Sequence, residues 1–315
     1  MTYTTQSYQG PPDLADMLAL VRARPRELML RFPSPADLYE LVNAHSTPEL
    51  TRLWRAPVGK LVGFALFNSG DTYASLVMEY PPQELQSGLG DSMIAWGEAV
   101  FQSSYHGQAT SLSASAEEKD PARIELLERH GFIRLDEETV SMERALGEDI
   151  PLPELPAGFT IRPLLGEAEI PTWVALHRAA FGTENMTEDY RQVMAQSPGY
   201  NPDLDLVAVA PDGRLAAYVF GSISAEENAL TGRMIGYTDP VGTHPDFQRL
   251  GLCRALLLAC LHRLKERGMD TARLGTGSWN TAMQRAAQSA GFQVCGRTRL
   301  YEKEMVGTGD NQPAN

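Results

Sequence analysis

Cationic side chains are scarce in this chain of 315 residues: 27 Lys and Arg stand against 40 Asp and Glu, a formal charge of −13. A nucleic-acid backbone needs a concentrated basic face, and no such run occurs, so that class of partner is excluded and any bound anion must be held locally. Cysteine is nearly missing as well. Cys253, Cys260 and Cys295 are an odd three, with no Cys-x-x-Cys pair and no Cys/His cluster at zinc spacing. They read as free thiols of a reducing, cytoplasmic compartment, and no metal is expected. There is also no stretch of about twenty apolar residues to span a bilayer and no start resembling a secretory signal, so no membrane partner is expected. What is there is apolar material, 43% of the residues, enough over this length for two ordinary cores.

The most informative stretch is Thr243 to Leu257, where an apolar strand passes through a polar, glycine-bearing turn into an amphipathic helix. The first amides of a helix lack acceptors and carry partial positive charge, so a phosphate set there satisfies donors and dipole together. Gly251 suits such a turn, because a Cβ would hold the ligand off the backbone. Leu252, Leu256, Leu257, Cys260, Leu261 and Leu264 then recur at helical spacing, which predicts a helix packed on a sheet and ended at Gly268. Cys253 reads as a small apolar residue on the packed face or as a thiol activated by the helix start.

Around this loop the second half predicts a strand at 161–164, helices at 170–181 and 188–196, and strands at 204–209 and 215–220 joined by Pro211-Asp212-Gly213. A strand at 234–243 leads into the loop, and a strand at 272–276, a helix at 281–290 and a strand at 297–303 follow it. The first half repeats this order more weakly. Residues 30–33 stand as its opening strand, and 59–64 stand where 213–218 stand later. Gly88 follows Pro82 by six residues, as Gly251 follows Pro245, and Gly131-Phe132 mirrors Gly291-Phe292, which argues for an internal duplication. Pro151, Pro153 and Pro156 make 147–158 a linker, so the expected domains are 1–150 and 151–315. Residues up to about 12 and beyond about 307 read as unstructured.

With these motifs assembled, residues 160–304 resemble the GNAT family of acetyl-CoA-dependent N-acyltransferases. Gln248-x-x-Gly251-x-Cys253 follows the family pattern of Gln or Arg, two residues, Gly, one residue, then Gly or Ala, with Cys253 as the departure. Asn280 and Gly291-Phe292 come next in family order, and the two-half layout is similar to tandem GNAT proteins. The resemblance implies an α+β fold of two tandem GNAT-like domains, each a mixed, mostly antiparallel twisted sheet flanked by helices. The N-terminal domain would be degenerate and the C-terminal one would bind acetyl-CoA. It further implies that the backbone of Val241 and Thr243 binds pantetheine. The amides of Arg249, Leu250, Gly251, Leu252, Cys253 and Arg254, entered through Gln248, would hold the pyrophosphate, and Asn280 would contact the cofactor. A solvated Arg249 and a helix-capping Asn280 are the alternatives.

Direct attack of a neutral amine on a thioester needs positioning, an oxyanion donor and an acid for the departing thiolate. Asp239, before Pro240-Val241-Gly242-Thr243-His244-Pro245, is the candidate base or amine-binding group, with a turn-forming Asp as the alternative and His244 as a weaker choice. The family's usual acid, a tyrosine seven residues after the asparagine, is Ala287 here, which leaves Tyr301, Ser278 or a water; Tyr301 also reads as a packed strand aromatic. The expected activity is acetyl transfer to an amine of a small molecule or peptide. A catalytically silent CoA-binding sensor or scaffold, motivated by Ala287, and a purely structural pair of domains are the alternatives. In the first half Leu85 and Gln86 replace Gln248 and Arg249, and Asp91 opposes a diphosphate, so that half is expected to be a structural partner closing the acceptor cleft. Acceptor loops follow no fixed pattern, so the amine stays open, as does the oligomeric state; Glu184, Glu188, Glu226 and Glu227 read as solvated acids or as a preference for a cationic acceptor.

Overall fold

The computed structural model describes residues 3–45, 48–69, 74–104, 111–147 and 149–305. Its packing divides into two compact units, Met1–Glu137 with Thr298–Asn315, and Glu138–Arg297. The first unit runs β1 (Thr4–Ser7), α1 (Pro11–Arg22), α2 (Pro35–Glu40), β2 (Thr51–Arg55), β3 (Leu61–Ser69), β4 (Ala74–Glu79), α3 (Leu89–Ser104), β5 (Ser111–Glu117), α4 (Pro121–Arg129) and the start of β6 (Ile133–Ala145). The second runs β7 (Thr160–Pro163), α5 (Ile170–Phe181), α6 (Glu188–Gln196), β8 (Tyr200–Val209), β9 (Leu215–Ser222), α7 (Ala225–Thr231), β10 (Ile235–Thr243), α8 (Leu252–Glu266), β11 (Thr271–Gly277), α9 (Thr281–Ser289) and the start of β12 (Gln293–Glu304). Each unit is a mixed α+β sheet flanked by helices, antiparallel apart from one parallel pair, β4 with β5 and β10 with β11. Among the described residues no helix is long and apolar enough to cross a membrane.

The last strand of each sheet comes from the other half of the chain. Thr139–Ala145 of β6 pair antiparallel with all of β11, and Thr298–Glu304 of β12 pair antiparallel with all of β5. The packing boundary is therefore not the chain boundary expected at 150, because periodicity marks a segment as a strand without saying which neighbour completes its ladder.

Two expectations for the first half are overturned. Residues 30–33 form turns and bends, and the opening strand is β1, inside the segment expected to be unstructured. Its polar Thr-Thr-Gln-Ser carries no apolar alternation, and it is held by backbone pairing with Arg52–Arg55 of β2. Residues beyond 307 lie outside the described residues, whereas 149–156 lack regular structure, as expected of a proline-rich linker.

The duplication holds in detail. Gly88 and Gly251 share a left-handed φ of +79°, each following a 3-10 turn that begins at the matched proline and standing immediately before a long helix. The amides of Phe132 and Phe292 likewise fold back onto Leu127 and Ala287 carbonyls, at 3.1 and 3.0 Å, and both rings are buried.

In the second unit the apolar runs of β8 and β9 are buried on both faces. Leu204, Leu206, Ala217 and Val219 pack with the leucines of α8, while Val207, Tyr218 and Phe220 pack with Trp173 of α5 and Met194 of α6. Asp205 interrupts the run and is paired by Arg191, a buried cation lying 4.6 Å over the Trp173 ring. Beside them His177 stacks between Trp173 and Phe181 and bonds through Nδ1 to the Tyr218 hydroxyl at 2.7 Å. Burial pushes its imidazole down to about 4.

The unfolded chain takes up a proton at this histidine below about pH 6.5, whereas the folded chain does so only near 4, so stability should be lost as the pH is lowered from about 6.5 to about 4. After discount for its partial exposure the effect is about 2 kcal/mol. Denaturant midpoints for wild type and His177→Phe should diverge near neutrality and converge toward acid; parallel curves would remove His177 from the account. The strand exchange predicts that a fragment of residues 138–297 resists proteolysis better than one of 151–315, in which β11 loses its Thr139–Ala145 partner.

Candidate functional site

The site is built where two parallel strands part. β10 and β11 pair only over Ile235–Tyr237 with Thr271–Arg273, and β10 then carries a bulge between Thr238 and Val241. Side chains take over where the ladder stops: the Thr238 hydroxyl donates to the Arg273 carbonyl at 3.4 Å, and the half-buried Asp239 carboxylate accepts the Gly275 amide at 2.9 Å. Past the bulge, Val241, Gly242 and Thr243 pair with Val219, Tyr218 and Ala217 of β9 alone. In an antiparallel pair alternate residues point their N–H and C=O away from the partner, so this edge of β10 offers main-chain bonds to something other than protein. Gly242 cannot be larger, since a Cβ there would stand 2.5 Å from the Tyr218 ring.

The chain then turns into α8 through a firmly held loop. The His244 amide donates to the Ala216 carbonyl at 2.9 Å, its Nδ1 accepts the Asp246 amide at 3.2 Å, and Phe247 packs edge-on to Phe159 beneath the Arg214 guanidinium. His244 is thus a loop anchor. Arg249, at φ 62°, and Gly251 are both left-handed, which curls the main chain around Leu250. The Ala255 amide is the first to find an acceptor, the Gly251 carbonyl at 3.0 Å; among the described residues the amides of Arg249 to Arg254 have none. A Cβ on Gly251 would meet no protein atom within 4 Å, so glycine is required there by its φ and the space beside it is open.

Side chains at this helix start divide sharply. Gln248, Arg249 and Leu250 are exposed, whereas Leu252 is buried in the core and only its amide is left for a ligand. Arg254 donates to the Ser289 carbonyl at 3.2 Å, tying α8 to the end of α9. Cys253 packs against Met283, and burial pushes its thiol up to about 12, which selects the packed reading over the reactive one. Asn280 caps α9, accepting the Met283 amide at 3.1 Å, and Ala287 is fully buried in the core.

Tyr301 is placed elsewhere. It belongs to the first unit, opposite Ala114 of β5, with no exposed surface and its hydroxyl 3.4 Å from Glu128. The structure does not bring it into the group formed by Asp239, Val241, Thr243 and the start of α8. Ser278, the other candidate acid, accepts the Glu138 amide at 3.0 Å.

Two pairs near β10 carry no signal in the sequence pattern. Glu227, read as a solvated acid, is 1% exposed and accepts a hydrogen bond from Tyr237, whose phenol is pushed far up by burial and then by that carboxylate. His177 and Tyr218 meet only because α5 packs over the position of Gly242. The second pair joins residues 41 apart in sequence, and a histidine on a helix face gives no hint of its partner.

The chain is similar to known proteins in sequence and in fold. Residues 170–292 fit the acetyltransferase (GNAT) family. The chain is 30% identical over 231 residues to a mycothiol acetyltransferase of Kineococcus radiotolerans, covering 67% of this chain and 73% of that one. It is 29% identical over 237 residues to the mycothiol acetyltransferase of Thermobispora bispora, covering 74% and 77%. In fold it is similar to a tandem GNAT protein from the clavulanic acid biosynthesis pathway, at a TM-score of 0.69 and 17% identity over 98% of this chain and all of that one. The chain is a GNAT-type N-acetyltransferase and belongs to the GNAT acetyltransferase family.

Proposed function

We propose that the second unit seats acetyl-CoA between the open edge of β10 and the start of α8, and that an amine of a small molecule of the mycothiol class takes the acetyl group by direct attack. The observation that carries this reading is the run of unpartnered amides from Arg249 to Arg254 beside the open face of Gly251. Consecutive main-chain donors at a helix start neutralise a diphosphate without a basic surface, which suits a chain of charge −13. The acceptor class is taken from the name of the relatives.

In this reading the bound thioester supplies the activated acetyl group, and the protein supplies positioning and proton handling. The edge of β10 at Val241 and Thr243 orients the carrier by main-chain bonds. Asp239, fixed by the Gly275 amide where β10 and β11 part, accepts the proton of the attacking amine directly or through water. Arg249 and Gln248, both exposed on the loop, add polar contacts to the phosphates; Asn280 contributes by capping α9 and shaping the far wall. Tyr301 is assigned to packing, which leaves Ser278 or water as the proton source for the thiolate. The first unit is assigned a structural role.

Replacing Gly251 with Val puts a β-branched residue at a left-handed φ and a side chain into the open face, at a cost of about 1–2 kcal/mol before any steric clash with a ligand. Calorimetry should show CoA affinity falling about tenfold or more, with wild-type affinity sinking the cradle. Asp239→Asn keeps an acceptor for the Gly275 amide but cannot take a proton, so kcat/KM should drop about 10²–10⁴-fold with loss of the acid limb of its pH profile. Tyr301→Phe should turn over at the wild-type rate; a comparable loss there would restore it as the acid.

A further inference from the structure

The first unit has the same parting of parallel strands, and it is filled. β4 and β5 pair only over Ala74–Ser75 with Leu112–Ser113. Where the second unit leaves a strand edge open, Arg123 of α4 donates to the Met78 carbonyl of β4 at 2.7 Å. Arg31 joins Glu79, at the end of β4, to Asp120, the N-cap of α4, at 2.8 and 3.0 Å. Arg24 grips the same Glu79 through two bonds of 3.0 and 2.8 Å. All three guanidinium groups and Glu79 are more than nine-tenths buried.

Direct partners in this cluster are fewer than the arginines. Three arginines are in contact with two carboxylates among the described residues, while the Asp37 carboxylate acts on Arg24 from farther away and accepts the Ser34 amide. A buried guanidinium is costly wherever one of its donors is left without a partner. Beside the cluster lies a cavity of about 190 Å³ lined by Arg24, Arg31, Glu79, Tyr80, Leu20 and Pro82 among others. At about 30 Å³ per water it has room for about six waters or for a compact ligand of similar size. Two residues of its wall keep buried polar atoms with no hydrogen-bond partner, the Nε of Arg31 and the hydroxyl of Tyr80. The carboxylate in the wall does not repel an anion as a bare acid would, since Glu79 is already gripped by both arginines.

We propose that this cavity is a binding site for a small oxyanion, of the carboxylate or phosphate type, held by Arg31 with Tyr80 and Arg24 around it. A planar guanidinium matches the oxygen spacing of both classes, and a phenol adds a neutral donor. The site stands apart from the acetyl-transfer reading, which rests on the second unit.

Calorimetric titration of the full chain with inorganic phosphate and, separately, with acetate, in buffers matched for ionic strength with chloride, tests this. At least one should give a saturable heat, and which one does so assigns the class. Arg31→Gln should weaken that binding about tenfold or more, and Tyr80→Phe should weaken it several-fold, while CoA affinity stays at the wild-type value in both. If Arg31→Gln does not fold, Tyr80→Phe decides. The proposal is overturned if neither anion binds the wild type saturably, or if Tyr80→Phe binds as tightly as the wild type.

Discussion

A strand that loses one of its two neighbours midway is the constraint on which the second unit turns. After Tyr237 the main chain of β10 can no longer reach β11, and Thr238 and Asp239 bridge the gap with side-chain bonds to Arg273 and Gly275. One edge of Val241–Thr243 is thereby left with unspent donors and acceptors a few residues ahead of a helix start in the same condition. Buried or half-buried backbone groups demand partners. The fold thus leaves unpartnered main-chain groups out of ordinary sheet geometry, and the proposed acetyl-CoA site rests on them with almost no contribution from side-chain identity.

That economy explains how an acidic chain can belong to a family that handles a nucleotide-linked carrier. The positive end of α8 is local and directional, and it survives any surface charge. It also explains why side chains along the loop are so unevenly used: Leu252 and Cys253 serve the core, while Gln248, Arg249 and Leu250 face outward.

The first unit shows what the same scaffold becomes when the gap is filled from within. Arg123 of α4 reaches the main chain of β4 at the Met78 carbonyl, and Arg24, just after α1, and Arg31, from the 29–33 turn, grip Glu79 at the end of that strand. Charged groups inside a protein are retained only with close partners, and their presence here marks a different use of a repeated architecture. Arg191 with Asp205 in the second unit follows the same rule as a one-to-one ion pair, with the guanidinium over the Trp173 ring.

Read alone, the sequence determined most local structure in the second half: α5 and α6 fall on the expected residues, and β7 to β12 lie within a few residues of them. It also determined the glycine-closed turn before α8, because a left-handed residue, a helix cap and an apolar period are all short-range properties. The duplication was equally legible, since matched glycines encode matched φ angles. Tertiary structure alone decided that β6 and β12 complete each other's sheets, that Tyr301 is a core residue of the first unit, that polar β1 is a strand, and that Arg24, Arg31 and Arg123 converge. Those outcomes depend on which distant backbone or charge satisfies a given group, and period and composition carry no information about a partner 45 or more residues away.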